Sequence, residues 1–468
     1  NSKFLLTNEN LNTPKVLDFH NLNLSAFDFL ILGTDVKTAI KNLSFNDTRG
    51  AQIQDLQTVF SYSLTQMMFE ELEIKSEHST LFGQVQFDYD RKDFKDFLEK
   101  VNISGFFKNS TIDFEELNVF YNEFGTNQKA DLNTVFSGTL NDLLLENIDI
   151  ITTDNTSLVG KIQFKNLFKT TSDNFKMDAY FQQVASTYTD LKALLPRVLG
   201  NTLPSDLGSL GRFDMRGTAK VSNAAIITVM DIETDIGTLF VDLNLDQMKA
   251  IDNTSYVGQV QFTDFDLGHL MGEQKIGLVS SSLNVEGRGF NKETINSNIK
   301  GTFDSFTFQE YIYTNIEVSG VVKNKIFNGQ LDIDDPNMKF NFEGLVDFSK
   351  QENIYDFSAA IEYANLNALN FVQRDSLSVL NGEMTMDMKG TTIDDVYGTI
   401  KFKNALYQNQ NDNYAFKDFE ITSEFGNNNL RTIRVNSPEI VQGNLKGKFA
   451  INQLHNLLRN ALGDIYTK

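Results

Sequence analysis

The sequence predicts a mainly β chain of antiparallel strands with a few short helices, and three observations carry that expectation. Apolar and polar residues alternate over short runs, the period of a strand with one dry and one wet face. Turn signals interrupt these runs at short intervals. One strand pattern then recurs along the chain, the mark of a repetitive architecture.

The run Leu81-Phe82-Gly83-Gln84-Val85-Gln86-Phe87-Asp88 sets Leu81, Val85 and Phe87 on one side and Gln84, Gln86 and Asp88 on the other. Runs at 148–152, 303–308, 316–321, 384–388 and 398–402 read the same way. Asp154-Asn155, Asp252-Asn253, Asn328-Gly329 and Asn427-Asn428-Asn429 read as turns between strands. Helical spacing is confined to three stretches, near 91–101, 190–199 and 453–462. The first carries Phe94, Phe97, Leu98 and Val101. The second carries Leu191, Leu194, Leu195 and Val198, with Thr189 or Asp190 as cap and Gly200 as stop. The third carries Leu454, Leu457, Leu458 and Leu462 and ends at Gly463.

The Gly83 strand recurs around Gly160, Gly258, Gly344 and Gly447, each time with an apolar residue two and four positions after the glycine. A second strand ending in Gly follows the first four copies, at 135–138, 213–217, 283–287 and 384–390. This is internal duplication with variable insertions, and it is expected to divide the chain into repeats at 1–125, 126–250, 251–340 and 341–468.

Composition excludes several functions. The 468 residues carry 41 Lys+Arg against 62 Asp+Glu, a net charge of −21 that opposes extended contact with nucleic acid or anionic headgroups. Cysteine is absent, which removes disulfides, thiolate metal sites and cysteine nucleophiles and leaves the redox compartment open. The four histidines, His20, His78, His269 and His455, have no paired spacing. Gly287-Arg288-Gly289 lacks the third glycine and following helix of a dinucleotide site. Asp332, Asp334 and Asp335 lack the glycine and terminal glutamate of a calcium loop and read as a solvated turn, while Glu70, Glu71 and Glu73 read as a solvated charge run. The expectation is therefore no enzyme, no cofactor and no metal. Asn1–Leu6 does not read as a signal peptide, and the longest apolar run, at 224–230, is far short of a membrane helix. Any membrane anchor is expected outside this chain.

A sheet with one apolar face must cover it with helices, a second sheet or something that is not protein. Helices are too few. Two readings stay open on pattern alone: a series of β-sandwiches with dry cores, or one long sheet bent into a U whose trough takes lipid tails. Forty Phe and no Trp supply apolar contact without an N–H that needs a buried partner. The recurrent glycines either let the sheet curl and leave width for an acyl chain, or mark bends filled by a cross-strand Phe.

Leu43-Ser44-Phe45, the stretch 60–65, Leu72-Glu73-Ile74 and the stretch 79–89 resemble the AsmA-like/TamB family of Gram-negative bacteria, particularly its Bacteroidota branch. The segments 342–370 and 447–468 are similar to the same family. The resemblance implies a long curved antiparallel β-sheet forming an open U-shaped hydrophobic groove, a β-taco, that crosses the periplasm. It implies an inner-membrane anchor, a C-terminal encounter with a TamA-like outer-membrane assembly barrel, phospholipid as the transported ligand and a link to outer-membrane protein assembly. Both the anchor and the full barrel-binding domain are missing from this stretch, which then reads as an internal segment of the bridge.

On that basis Leu81, Val85, Phe87, Leu158, Ile162, Phe164, Tyr256, Val260, Phe262, Phe340, Phe342, Val346, Phe348, Leu445 and Phe449 are expected to line a lipid-binding groove. Lys161, Lys165, Asp88, Asp347, Lys446 and Lys448 are expected outside it. About 35 crosswise strands would make a groove on the order of 170 Å long. The competing functions are a chaperone-like scaffold that binds unfolded outer-membrane strands at a sheet edge, and a structural surface protein built of β-sandwiches.

Overall fold

The computed structural model describes residues 2–8, 15–47, 50–119, 123–167, 175–199, 205–246, 253–290 and 293–453, and it falls into two compact units, Asn1–Ile251 and Asp252–Lys468. The first unit contains β1 (Ser2–Asn8), β2 (Lys15–Leu32), β3 (Asp35–Asp47), β4 (Gln52–Ile53), β5 (Asp55–Tyr62), β6 (Gln66–Lys75), β7 (Thr80–Asp88) and β8 (Asn102–Asp113). It continues with β9 (Lys129–Thr139), β10 (Asp142–Thr152), β11 (Ser157–Lys165), β12 (Lys176–Thr187), β13 (Arg212–Ser222), β14 (Ala225–Thr234) and β15 (Gly237–Asp246). The second unit contains β16 (Ser255–Asp266), β17 (Ile276–Arg288), β18 (Asn296–Phe308), β19 (Tyr311–Lys323), β20 (Ile326–Asp335) and β21 (Met338–Asp347). It ends with β22 (Ile354–Asn365), β23 (Ser378–Lys389), β24 (Tyr397–Asn409), β25 (Asn413–Phe425), β26 (Arg431–Ser437) and β27 (Val441–Gly447).

The chain is mainly β and the sheet is open. Within each unit the strands pair antiparallel in chain order, β3 taking both the short β4 and β5, and among the described residues no pair closes a unit on itself. The described residues form 27 strands, fewer than the roughly 35 expected from the sequence, and most of them run to ten or more residues.

Strands this long bend at bulges. Phe69 pairs with Val85 and Leu72 with Gly83, so β6 spends one residue more than β7 between the two pairs. The same extra residue occurs between Leu145 and Ile148 on β10, Phe181 and Val184 on β12, and Phe262 and Phe265 on β16. An extra residue turns the strand and raises its twist. Glu71, Asn147 and Asp264 take positive φ within these bulges, a region where Asn and Asp are tolerated best. Because one residue is skipped, side chains three apart land on the same face.

The helices are short and sit in strand connections. A 3₁₀ turn over Arg91–Asp96 runs into α1 (Phe97–Lys100), in place of one continuous helix over 91–101. After α2 (Phe114–Leu117), α3 (Tyr188–Leu194) is capped by Thr187, whose hydroxyl accepts from the Asp190 N–H at 3.1 Å; the cap lies two residues before the expected Thr189. Pro196 then opens α4 (Pro196–Leu199), and α5 (Leu267–Met271) ends on Gly272 in the left-handed region. The helix expected near 453–462 lies outside the described residues after Gln453, as does His455.

Asn328-Gly329 is not a turn. It lies inside β20, with Gly329 paired to both Gly320 and Gly344. The turn is Asn324-Lys325, both at positive φ, the backbone a two-residue hairpin needs. A Cβ on Gly329 would run into the Ser319 carbonyl oxygen, so the glycine serves close strand approach.

Buried polar groups pin the strand ends. Asp335, expected in a solvated turn, is buried because its carboxylate has partners. It accepts from the Tyr311 hydroxyl, the Thr314 N–H (3.0 Å) and hydroxyl (2.9 Å), and the Asn337 N–H (2.8 Å). Asp347, expected on the outer face, is buried at the end of β21 and accepts from the Ser349 N–H and hydroxyl. Burial pushes the Glu116 carboxyl up, but the Ser76 and Ser79 hydroxyls and the His78 N–H more than reverse it, leaving it below its ordinary value. Burial and the Ser349 bonds act the same way at Asp347; Arg374 lowers Asp375, and the Thr392 N–H lowers Asp395.

A depressed carboxyl contributes stability above its unfolded pKa and loses that contribution as pH falls through the folded one. The urea midpoint is therefore expected to hold from pH 7 to about 5 and to drop between about pH 4.5 and 2.5. Glu116→Gln should flatten part of that drop. An unchanged midpoint at pH 3 would remove these carboxylates from the stability of the fold.

Candidate functional site: the apolar faces

Strand register assembles apolar residues into rows that cross each unit. In the first, one row runs Phe60–Phe69–Val85–Gly105–Phe136–Leu145–Ile162–Ala179–Ala219 over nine consecutively paired strands. A second runs Met67–Phe87–Ile103–Gly138–Leu143–Phe164–Met177–Val221–Ile226–Leu245. Val85 and Ile162 thus share one row, and Phe87 and Phe164 the other. Leu81 stands opposite Ile74, and Leu158 between Ile150 and Val184. Ile148, Ile162 and Ala179 are the buried centre of this face, with Leu158, Phe164 and Phe181 packed around them.

Three rows cross the second unit. Val260–Leu283–Gly301–Val318–Leu331–Phe342–Ala359–Met384–Phe402–Phe419 is the central one. Phe262 reaches Phe340 through Ser281, Phe303, Ile316 and Ile333. Tyr256 reaches Val346 through Gly287, Ser297, Val322 and Phe327, and Val346 reaches Leu445 through Tyr355, Met388, Gly398, Ser423 and Ile433. Phe348 lies one residue past β21, half exposed and edge-on to Tyr355. Phe449 follows β27, partly buried beside Gly447.

Most residues between the rows are polar, with Leu144, Ile227 and Val321 among the apolar exceptions. On β13, Arg212, Arg216, Thr218 and Lys220 are exposed or nearly so while Phe213 and Ala219 are buried. On β21, Lys339, Asn341 and Glu343 alternate with the inward residues, and Phe342 is buried. Lys161, Lys165, Lys446 and Lys448 lie on the polar side too, and Asp88 is partly buried, bonded to Gln66 and Gln86. Burial pushes the Tyr313 phenol up to about 12 and raises those of Tyr256 and Tyr311, so these three side chains are neutral at pH 7.

The recurrent glycines lie outside these rows, three with a phenylalanine directly across: Gly83 with Phe107, Gly160 with Phe181, Gly344 with Phe357. A Cβ at Gly83 would collide with the Phe106 carbonyl oxygen, so the strands meet too closely there for any side chain. Gly258 faces Val285 and Gly447 faces Arg431.

Two features of the second unit had no sequence signal. The connection between β22 and β23 folds over the apolar face, driving Leu369, fully buried, against Tyr313, Ile316, Ile333 and Ile361. The Asn370 amide holds it there by donating to the Gln309 carbonyl at 3.0 Å. Beyond it lies an apolar hollow of about 320 Å³. Its walls are stacked Tyr407 and Tyr414, with Phe402, Phe416 and Phe419 in ring contact, and Leu380 and Ile440 complete the lining.

Among the described residues no group of three or more His, Asp or Glu is placed to hold a metal ion, and no helix is long and apolar enough to cross a membrane. His78 lies in a turn, within 3.9 Å of Glu77, His20 is on β2, and His269 is in α5. No family model, curated protein or solved structure matches this chain.

Proposed function

We propose that the apolar rows form the wall of an open U-shaped groove that carries phospholipid acyl chains, and that this chain is a segment of a bridge-like lipid-transfer protein. The single observation that carries the reading is the succession of apolar cross-strand partners, nine or more strands wide, backed by a mostly polar opposite face. Acyl tails would slide along the wall while headgroups stay in water at the open seam, so transport needs no catalyst and no cofactor. Each buried CH₂ contributes about 0.8 kcal/mol, enough to hold a tail yet replaceable step by step along a uniform wall. Net flow requires a gradient or an external energy source.

In its cellular setting the segment lies in the periplasm of a Gram-negative cell, between inner and outer membranes, anchored by a part of the protein outside this chain. A TamA-like assembly barrel is the partner of those outside parts. The pairing in chain order, without a Greek-key crossing, favours this reading over a series of sandwiches; a chaperone would use a free edge instead of a face.

Mass spectrometry of lipids extracted from the purified chain tests the proposal. Phospholipid in stoichiometric amount, recovered after detergent-free purification, is the expected result. A lipid-free chain that also fails to take up phospholipid from vesicles would overturn it.

A further inference from the structure

We infer that the hollow beyond the β22–β23 connection is a holding site for one anionic phospholipid, with a tail among its aromatic side chains and the phosphate on Arg374. This rests on the lipid-carrying reading and adds a fixed stop to an otherwise uniform wall.

Three observations converge on it. The connection that buries Leu369 covers the apolar face over β19, β20 and β22, so a tail moving along the face meets an obstruction there. The hollow on the far side is open, apolar and about 320 Å³, at the small end of the roughly 300–1,000 Å³ typical of ligand pockets. The same connection supplies a cation at the rim. The Arg374 guanidinium is bidentate to Asp375 (Nε 3.2 Å, Nη2 2.9 Å), and Asp375 accepts from the hydroxyl of Tyr407, a wall of the hollow, at 3.0 Å. Asp375 is buried and the Arg374 side chain is 82% exposed, so the arginine is held in place with its outer edge in water. In a chain of net charge −21, an oriented guanidinium beside an apolar hollow suits a phosphate on an acyl-bearing molecule.

The chain has no tryptophan, so one introduced at position 416 reports from the hollow alone. Full-length Phe416→Trp is titrated with phosphatidylglycerol carrying brominated acyl chains, which quench only on contact, and with brominated diacylglycerol. Phe136→Trp, on the uniform wall of the first unit, is the reference. Phosphatidylglycerol is expected to quench the Phe416→Trp variant at lower concentration than the Phe136→Trp variant. Adding Arg374→Gln should weaken the phosphatidylglycerol response about tenfold, the loss of one charge-assisted contact, and leave that of diacylglycerol unchanged. Inorganic phosphate should not displace the lipid. Quenching of Phe136→Trp but not of Phe416→Trp, or equal quenching of both that is indifferent to Arg374→Gln, overturns the holding site while lipid carriage stands. No quenching of either variant overturns both. Unaltered circular dichroism keeps the variants comparable, and Arg374→Lys should restore part of the preference.

Discussion

Phe164→Asp is expected to slow phospholipid transfer about a thousandfold at pH 7 while leaving the fold intact. Phe164 lies mid-row between Leu143 and Met177 and is only partly buried, so the shorter carboxylate can stay hydrated on the open side of the sheet. A passing acyl chain must remove that water. Neutralising an aspartate of pKa near 3.9 at pH 7 costs about 4 kcal/mol, which sets the barrier. The same origin gives a signature that misfolding would not: transfer should recover as pH falls towards 4.5. Phe262→Asp, on the row that leads to Phe340, should behave alike. Phe164→Leu keeps the wall apolar and should transfer normally. Vesicle-to-vesicle transfer of a fluorescent phospholipid decides this, and an aspartate variant as fast as the parent would disprove the tail-on-wall mechanism.

The other large effect concerns stability. Arg431→Ala should cost about 3 kcal/mol, because it removes a buried guanidinium together with its four charge-assisted hydrogen bonds. Arg431 is 2% exposed and has no carboxylate partner within its hydrogen-bond shell. Its guanidinium donates to the Ser423 hydroxyl (2.9 Å) and to the carbonyls of Ile393 (3.2 Å), Asp394 (2.9 Å) and Val396 (2.6 Å). It also lies 5.3 Å from the Phe425 ring centre. Burial lowers its pKa, yet a guanidinium stays charged at neutral pH. The side chain thus ties β25 and β26 to the β23–β24 connection. Hydrogen exchange should quicken across 391–396 and at the start of β26, and the urea midpoint should fall. A loss below about 1 kcal/mol would mean that water replaces the guanidinium without penalty.

Much of the strand content was legible in the sequence because alternation is a local property. The glycine-centred repeats lie on β7, β11, β16, β21 and β27, and the second strands on β9, β13, β17 and β23. What alternation hid was its own interruptions. Leu145 and Ile148, or Phe262 and Phe265, are three apart and look like breaks in a strand, yet a bulge returns both to one face. Apolar pairs at spacing three inside an alternating run were the available signal. Asn328-Gly329 misled for the opposite reason: a dipeptide strong in turns was placed in a strand by the facing glycines Gly320 and Gly344. Leu369 and Arg431 were beyond local reading, since their contacts depend on chain far away; Asn370 reaches Gln309 across 61 residues. Asp335 looked solvated for want of any sign that Tyr311 and Thr314 would close on it.

The most direct test puts a photo-crosslinking amino acid at neighbouring positions that differ only in the face they occupy. Position 164 is on the apolar side with 161 exposed on the other, and 402 is likewise apolar with 401 exposed. In cells, or with vesicles of phosphatidylethanolamine and phosphatidylglycerol, crosslinked phospholipid is predicted at 164 and 402 and not at 161 or 401. Phospholipid on neither side, or crosslinks from 164 and 402 only to other parts of the same chain, would contradict a lipid-bearing face.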